Sequence, residues 1–230
     1  MKILALESSA TAASVAICEG ETLIAQTFQN SGFTHSQTLL PMTEALLAGC
    51  GYTLGQMDMI AVAVGPGSFT GLRIGVAAAK GLAWAADLPC AACSTLESMA
   101  WNLVGIPGEI CTAMDARRNE IYHARFQTDG ETLVRLSEDC AIALAALEFE
   151  NAPMQTVVGD GANLCYGYLK ERGISVRLAP PHLRMQTAWG VARAGLACEK
   201  RGELCSGASL LPIYHRLSQA ERELRGRSDN

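Results

Sequence analysis

Apolar positions in the first thirty residues come in short blocks separated by small polar residues. Lys2-Ile3-Leu4-Ala5-Leu6-Glu7 is an apolar run ending on an acid, and Ser8-Ser9-Ala10-Thr11-Ala12 reads as a turn. Ser14-Val15-Ala16-Ile17-Cys18 then leads into Gly20-Glu21-Thr22-Leu23. Runs of this length between turn residues predict hairpin-linked strands. The plan returns at residues 110–115, a polar turn, residues 121–126 and Gly130-Glu131-Thr132-Leu133. The acids are 115 − 7 = 108 positions apart and the tetrads 130 − 20 = 110, so the second turn is longer by two. A duplicated unit is expected, divided near Val104-Gly105-Ile106-Pro107-Gly108 into residues 1–107 and 108–230.

Residues 35–47 carry apolar side chains at 39, 40, 42, 46 and 47, an amphipathic helical pattern. Pro41 conflicts with the carbonyl four residues back, so this helix either begins near Thr38 or kinks. Residues 59–64 form a continuous apolar run, as in a buried strand, and residues 69–86 read as a long helix. In the second half, Thr156-Val157-Val158-Gly159 reads as a strand ending at a Gly159-Asp160-Gly161 turn, with helices over 163–171 and 186–200. Strands followed by alternating helices and strands predict an α/β fold with mixed sheets.

The junction of the 59–64 strand and the 69–86 helix is Gly65-Pro66-Gly67-Ser68-Phe69-Thr70-Gly71-Leu72-Arg73-Ile74-Gly75. It approaches a phosphate loop, but Leu72 and Arg73 follow Gly71 where the lysine and hydroxyl belong. Ser68 is placed to cap the helix. Each glycine inside a helix costs roughly 0.8–1 kcal/mol relative to alanine, which calls for a compensating contact. Gly67, Gly71, Gly75, Ala79 and Ala83 recur every four residues as one stripe that admits a close neighbour. Spacing alone is equally compatible with packing inside the domain and with a partner interface.

The acid-ended hairpins have the form with which actin-like and sugar-kinase-like ATPases grip phosphates. The first keeps Glu7 with hydroxyls at Ser8, Ser9 and Thr11. The second offers Asp115-Ala116-Arg117-Arg118-Asn119-Glu120, without a glycine to admit a phosphate closely.

Composition narrows the classes. The chain has 49% hydrophobic and 18% charged residues, as expected of a globular protein. Its net charge of −5 argues against tight nucleic-acid binding by this chain alone. Nine cysteines, an odd number, read as free thiols of a reducing cytoplasm; Cys90-x-x-Cys93 is one close pair without the second half of a zinc site. Neither a signal-peptide core nor a run of about 18 apolar residues occurs, so a cytoplasmic location is expected. Of the four histidines none has a partner at helical spacing: Leu39 stands where a second ligand would follow His35, which reads as a surface or capping residue.

Ile3-Leu4-Ala5-Leu6-Glu7-Ser8-Ser9, His35-Ser36 with Leu39-Leu40-Pro41, and above all the 65–75 segment resemble the TsaB (YeaZ) family. Ser94-Thr95-Leu96, Met114-Asp115-Ala116-Arg117 and Pro212-Ile213-Tyr214-His215-Arg216 extend the resemblance along the chain, with His215 in place of an expected leucine. It implies a duplicated actin-like (ASKHA, RNase H-like) fold. It also implies a non-catalytic partner of a TsaD homologue in forming N6-threonylcarbamoyladenosine beside the anticodon of tRNA, with a TsaE homologue in the larger complex. Catalytic residues, metal and cofactor are expected to be absent, and tRNA is met only through the complex; a homodimer is expected when the chain is alone.

The family's pairing surface maps onto residues 35–48 and 69–86. The expected contacts are Gly67, Phe69, Thr70, Gly71, Leu72, Arg73, Gly75, Val76, Ala79 and Lys80, with His35, Leu39, Met42 and Leu46. Glu7, Ser8, Ser9, Thr11 and Asp115 are the vestigial phosphate hairpins. On this reading Gly71→Leu or Gly75→Leu breaks partner binding and leaves the isolated fold intact. The alternatives are an actin-like ATPase or phosphotransferase using Glu7 and Asp115, and a metallopeptidase, which lacks a histidine pair.

Overall fold

The computed structural model describes residues 1–149 and 153–216. The rest of the expected second unit, residues 150–152 and 217–230, lies outside them. The described elements are β1 (Lys2–Glu7), β2 (Ala13–Glu19), β3 (Thr22–Gln29), α1 (His35–Gly49), β4 (Met59–Gly65), α2 (Phe69–Ala86), β5 (Cys90–Ser94) and α3 (Thr95–Trp101). They continue with β6 (Gly108–Arg117), β7 (Glu120–Thr128), β8 (Leu133–Arg135), β9 (Cys140–Ala143), β10 (Gln155–Val158), α4 (Ala162–Glu171), β11 (Val176–Leu178) and α5 (Ala188–Lys200).

Two mixed sheets repeat one plan. The first has the order β3-β2-β1-β4-β5 and the second β8-β7-β6-β10-β11, with β9 also paired to β7. In each, the opening strand is antiparallel to the next one and parallel to the strand that returns beside it, β4 or β10. The duplication read from the acids and tetrads is therefore a duplication of topology.

Alternation along the strands sets the layers. Leu4, Leu6, Val15, Ile17, Ile60 and Val62 point to one face of the first sheet, against Leu39 and Leu46 of α1 and Val76, Ala79 and Ala83 of α2. Ile3, Ala5, Ala16, Met59, Ala61, Ala63 and Ala91 point to the other, against α5. The second sheet packs α3 through Leu96 and Met99, with Leu103 just beyond it, on one face and α4 through Ala162, Cys165 and Leu169 on the other. Helices α3 and α5 also pack on each other, forming a central layer between the sheets. The alanines under α5 let that helix close in, and a Cβ at Gly195 would sit 2.7 Å from the Ala61 Cβ.

Helix α2 has the expected bounds, and the Ser68 hydroxyl accepts from the Gly71 N–H at 3.3 Å. Helix α1 starts at His35 and runs through Pro41, which excludes the later start near Thr38. Pro41 is exposed, so the Gln37 carbonyl that loses its helical donor lies toward water. Strand β5, read only as a cysteine pair, and the seven-residue α3, capped by Ser94, had no periodic pattern long enough to announce them.

Candidate partner face and lobe junction

The β1–β2 turn is seated directly on the start of α2. The Ser8 hydroxyl donates to the Gly71 carbonyl at 2.9 Å, and the Ser68 N–H donates to the Ser9 carbonyl at 2.7 Å. His35 holds the same turn from α1, its Nε2 lying 2.7 Å from the Ala10 carbonyl oxygen. A Cβ at Gly67, Gly71 or Gly75 would run into the Ser9 carbonyl, the Ser8 carbonyl or the Ser8 hydroxyl.

These contacts correct the assignment of the stripe. The close neighbour admitted by Gly67, Gly71 and Gly75 is this chain's own phosphate-type turn. Ala79 and Ala83 lie in the core beneath α2. Leu72, Val76, Leu39 and Leu46 are likewise buried, as is His35, which is not a surface residue. For the same reason Gly71→Leu and Gly75→Leu are now expected to disturb the isolated fold. Of the expected contacts, Thr70 and Arg73 are exposed, and Gly67, Phe69, Lys80 and Met42 are half-buried.

The outward face of α2 joins these two, Thr70 and Arg73, to Ala77, Gly81, Trp84 and Ala85, which were not among the expected contacts. Their spacing of three and four places them on one helical stripe. Trp84 is 89% exposed, and a Cβ at Gly81 would meet nothing within 4 Å. Neighbouring α1 exposes Leu40, Pro41 and Ala45, and Phe33 just before it is 64% exposed. An outward-facing tryptophan beside small and apolar residues is a surface suited to being covered.

A strap from the C-terminal side completes this face. The Ile213 N–H donates to the Val64 carbonyl at 2.7 Å, and the Tyr214 ring stacks on Phe69 with centroids 4.3 Å apart. Arg73 Nε donates to the Tyr214 hydroxyl at 2.9 Å, with its guanidinium near both rings. Arg216 then reaches across to the second lobe, bonding the Ala116 carbonyl and pairing with Glu120. No periodicity marks residues 210–216; the Pro212–Arg216 motif singled out the segment but not its seat on Val64, Phe69 and Arg73.

At the lobe junction the acids stand close together. Glu7 is fully buried, its Oε1 accepts from the Ser9 N–H at 2.5 Å, and its Oε2 has no partner. Burial pushes its pKa up to about 7; the Ser9 hydrogen bonds oppose this and the Asp160 charge adds to it. Asp160 is itself raised by burial, against a 2.9 Å bond donated by Gln186 Nε2 to its Oδ1. Asp115 is half-buried and accepts from the Arg117 N–H at 2.7 Å, while Thr11 is exposed.

Asp160 was read only as a turn residue. Gly159 and Gly161 repeat Gly65 and Gly67 at an offset of 159 − 65 = 161 − 67 = 94. The Gly161 N–H donates to the Ala113 carbonyl at 3.0 Å, as Ser68 does to Ser9. The repeat was hidden because this offset differs from the 108 between Glu7 and Asp115. The charge that acts on Glu7 is the Asp160 carboxylate, which like burial favours the protonated form. Among the described residues, no group of three or more His, Cys, Asp or Glu side chains is arranged to hold a metal ion. No described helix is long and apolar enough to cross a membrane.

Known proteins share this plan. A family model described as TsaD, tRNA N6-adenosine threonylcarbamoyltransferase, matches residues 29–171, more than half of the chain. The chain is 34% identical over 186 residues to the tRNA threonylcarbamoyladenosine biosynthesis protein TsaB of Escherichia coli (strain K12), covering 77% of this chain and 79% of that protein. It is 37% identical over 145 residues to TsaB of Bacillus subtilis (strain 168), a match that spans 63% of each, slightly under two thirds of the Bacillus protein. The solved YeaZ from Pseudomonas aeruginosa superimposes with a TM-score of 0.77 at 27% identity, over 93% of this chain and 99% of that one. Component A of the (R)-2-hydroxyglutaryl-CoA dehydratase of Acidaminococcus fermentans reaches a TM-score of 0.52 at 10% identity, covering 87% of this chain and 98% of that one, a likeness of fold alone. The duplicated sheets are thus those of the actin-like (ASKHA) fold, and the chain belongs to the TsaB (YeaZ) branch of the TsaD family.

Proposed function

We propose that this chain is a non-catalytic subunit of tRNA threonylcarbamoyladenosine biosynthesis that docks on and activates a TsaD homologue through the outer face of α1 and α2. The observation that carries the reading is the exposed stripe of Ala77, Gly81, Trp84 and Ala85 beside Leu40 and Phe33. A helical glycine with open space around it has no compensation inside the chain, and a tightly apposed partner helix supplies one. Arg73, Thr70 and the Tyr214–Phe69 stack form the polar and aromatic end of the same surface. The buried residues Gly71, Gly75, Leu72, Val76, Leu39 and Leu46 hold the two helices in place from inside.

In this proposal residues 1–107 and 108–230 are the two evolutionary units, with α5 crossing from the second to cover the first sheet. A TsaE homologue joins the pair, tRNA is met through the complex, and the same apolar face pairs two copies when TsaD is absent. A cytoplasmic location agrees with nine free thiols. The crowded acids at Glu7, Asp160 and Asp115 support a scaffold more than a phosphotransferase.

The test is co-purification with the TsaD homologue of the same organism, with modified tRNA measured in parallel. Trp84→Glu and Gly81→Arg are each expected to lower co-purification and modification at least about tenfold while the isolated chain keeps its melting temperature. Normal recovery of TsaD with both variants would overturn the docking face. Magnesium-dependent ATP turnover by the chain alone, lost in Glu7→Ala, would favour the enzymatic alternative.

A further inference from the structure

Arg73 follows Phe69 by one helical turn, so the two side chains share a flank of α2. The strap brings a second ring to that flank. Tyr214 stacks on Phe69 with the ring planes 9° apart. The Arg73 guanidinium carbon lies 5.7 Å from the Tyr214 ring centre and 6.0 Å from that of Phe69, and its Nε donates to the Tyr214 hydroxyl at 2.9 Å. The strap is fastened on both sides of this point. A Cβ at Gly65 would run into the Ile213 carbonyl oxygen, and Arg216 bonds the Ala116 carbonyl in the second lobe.

The guanidinium is thus held by a hydroxyl beside two rings, and its charge is left unanswered. Among the described residues no carboxylate lies within ion-pair distance of Arg73, and its two Nη groups donate to none of them. Lys80, the next cation along α2, is turned to the Ala208 carbonyl at 3.2 Å. Around Arg73 the outward face is apolar, with Ala77, Trp84, Phe33 and Leu40 exposed. A guanidinium fixed through Nε presents its Nη groups as a fork, the geometry that takes both oxygens of one carboxylate. Holding it in place beforehand removes most of the ordering that a free arginine undergoes on binding. A lone charge on an apolar face also resists being covered unless the partner brings its opposite, because closing the interface strips its water.

We infer that Arg73 is a preset receptor for one aspartate or glutamate side chain of the TsaD homologue, the charged anchor of the docking face. The inference rests on the face proposed above and adds the chemistry its partner presents there. Tyr214 is a positioning residue that aims the fork. A phosphate backbone calls for a row of cations, whereas here Lys80 is engaged, α2 has no third basic residue and the chain carries a net charge of −5. A second copy of this chain brings no acid on α2 and only Glu44 on α1.

The experiment measures binding of the full chain to the purified TsaD homologue of the same organism by calorimetry, at about 50 and about 500 mM sodium chloride. Arg73→Gln is expected to weaken binding at least about tenfold at the lower salt and to flatten its salt dependence. Arg73→Lys keeps the charge without the fork and should weaken binding about threefold. Tyr214→Phe keeps the stacked ring, loses the hydroxyl and should fall between wild type and Arg73→Gln. In the complex formed by Arg73→Lys, a carbodiimide should join position 73 to one aspartate or glutamate of the TsaD homologue, a link read by mass spectrometry. Binding of Arg73→Gln within about twofold of wild type, with the same salt dependence, would overturn the inference. If Trp84→Glu still abolishes binding in that case, the docking face stands without its charged anchor; if it does not, the face falls as well. A carbodiimide link to Glu44 of a second copy, lost in Glu44→Gln, would also overturn it. So would unchanged TsaD binding by Arg73→Gln with a loss of tRNA retained by the complex, which would mark a phosphate as the ligand. Should the strap loosen in Arg73→Gln, seen as a lower melting temperature of the isolated chain, Arg73→Lys and its cross-link decide.

Discussion

Glu7 ends β1 with one carboxylate oxygen bonded to the Ser9 N–H and the other without a partner, in a place water does not reach. Its pKa of about 7 in the folded state compares with 4.5 for the free side chain. Between those two values the folded chain binds more protons than the unfolded chain, so stability falls as pH rises through the window and is level on either side. The full difference is roughly 3 kcal/mol at 1.36 kcal/mol per unit. Glu7→Gln keeps an acceptor for Ser9 and has no charge to bury, so it is expected to remove most of that dependence. Urea midpoints of both proteins at pH 5 and pH 8 measure this. An equal fall in the two proteins would show that Glu7 does not carry the effect. Asp160→Asn should move wild-type behaviour partly in the same direction, because it deletes the charge that adds to the Glu7 shift. The acid at position 7 was legible from its place at the end of an apolar run. Its protonation was not, since burial and the approach of Asp160 depend on the two lobes meeting.

Helix α2 divides its small residues between two jobs. Gly71 faces the Ser8 carbonyl and Gly81 faces open space. Gly71→Ala is therefore expected to destabilise the isolated chain by about 3 kcal/mol, as overpacking against rigid backbone does. Gly81→Ala should stabilise it by about 1 kcal/mol through helix propensity alone. Chemical denaturation of the two variants separates these outcomes, and similar changes in both would contradict the division. The helix bounds, the Ser68 cap and the four-residue spacing were all readable, because they are local properties of residues 65–86. Which flank of the helix turned inward was not. Residues 71 and 75 are equally glycine whether the neighbour is Ser8 of the same chain or a second protein. The strap at 210–216 was hidden for a related reason. Tyr214 gains its meaning from Phe69 and Arg73, some 140 positions away along the chain.

At the scale of the molecule, α5 is the element on which both halves converge. It covers the small-residue face of the first sheet and packs on α3, which covers the second. Gly195→Val would push α5 off Ala61 and Ala91 and is expected to cost about 2 kcal/mol or more. Because both sheets share the central layer, the loss should appear as one earlier cooperative transition by fluorescence and by circular dichroism. Two separated transitions in the wild type would contradict the shared core. The sequence by itself determined the leading strands of each unit, the long helices, the doubled plan and the family, since periodicity, turn residues and an unbroken glycine-rich segment are written in neighbouring positions. Only the tertiary structure decided that the glycine stripe serves the chain's own turn, that Trp84 and Gly81 face outward, and that Glu7 meets Asp160. Each of those depends on the distance between elements far apart in the chain, set by how closely small residues allow the layers to pack.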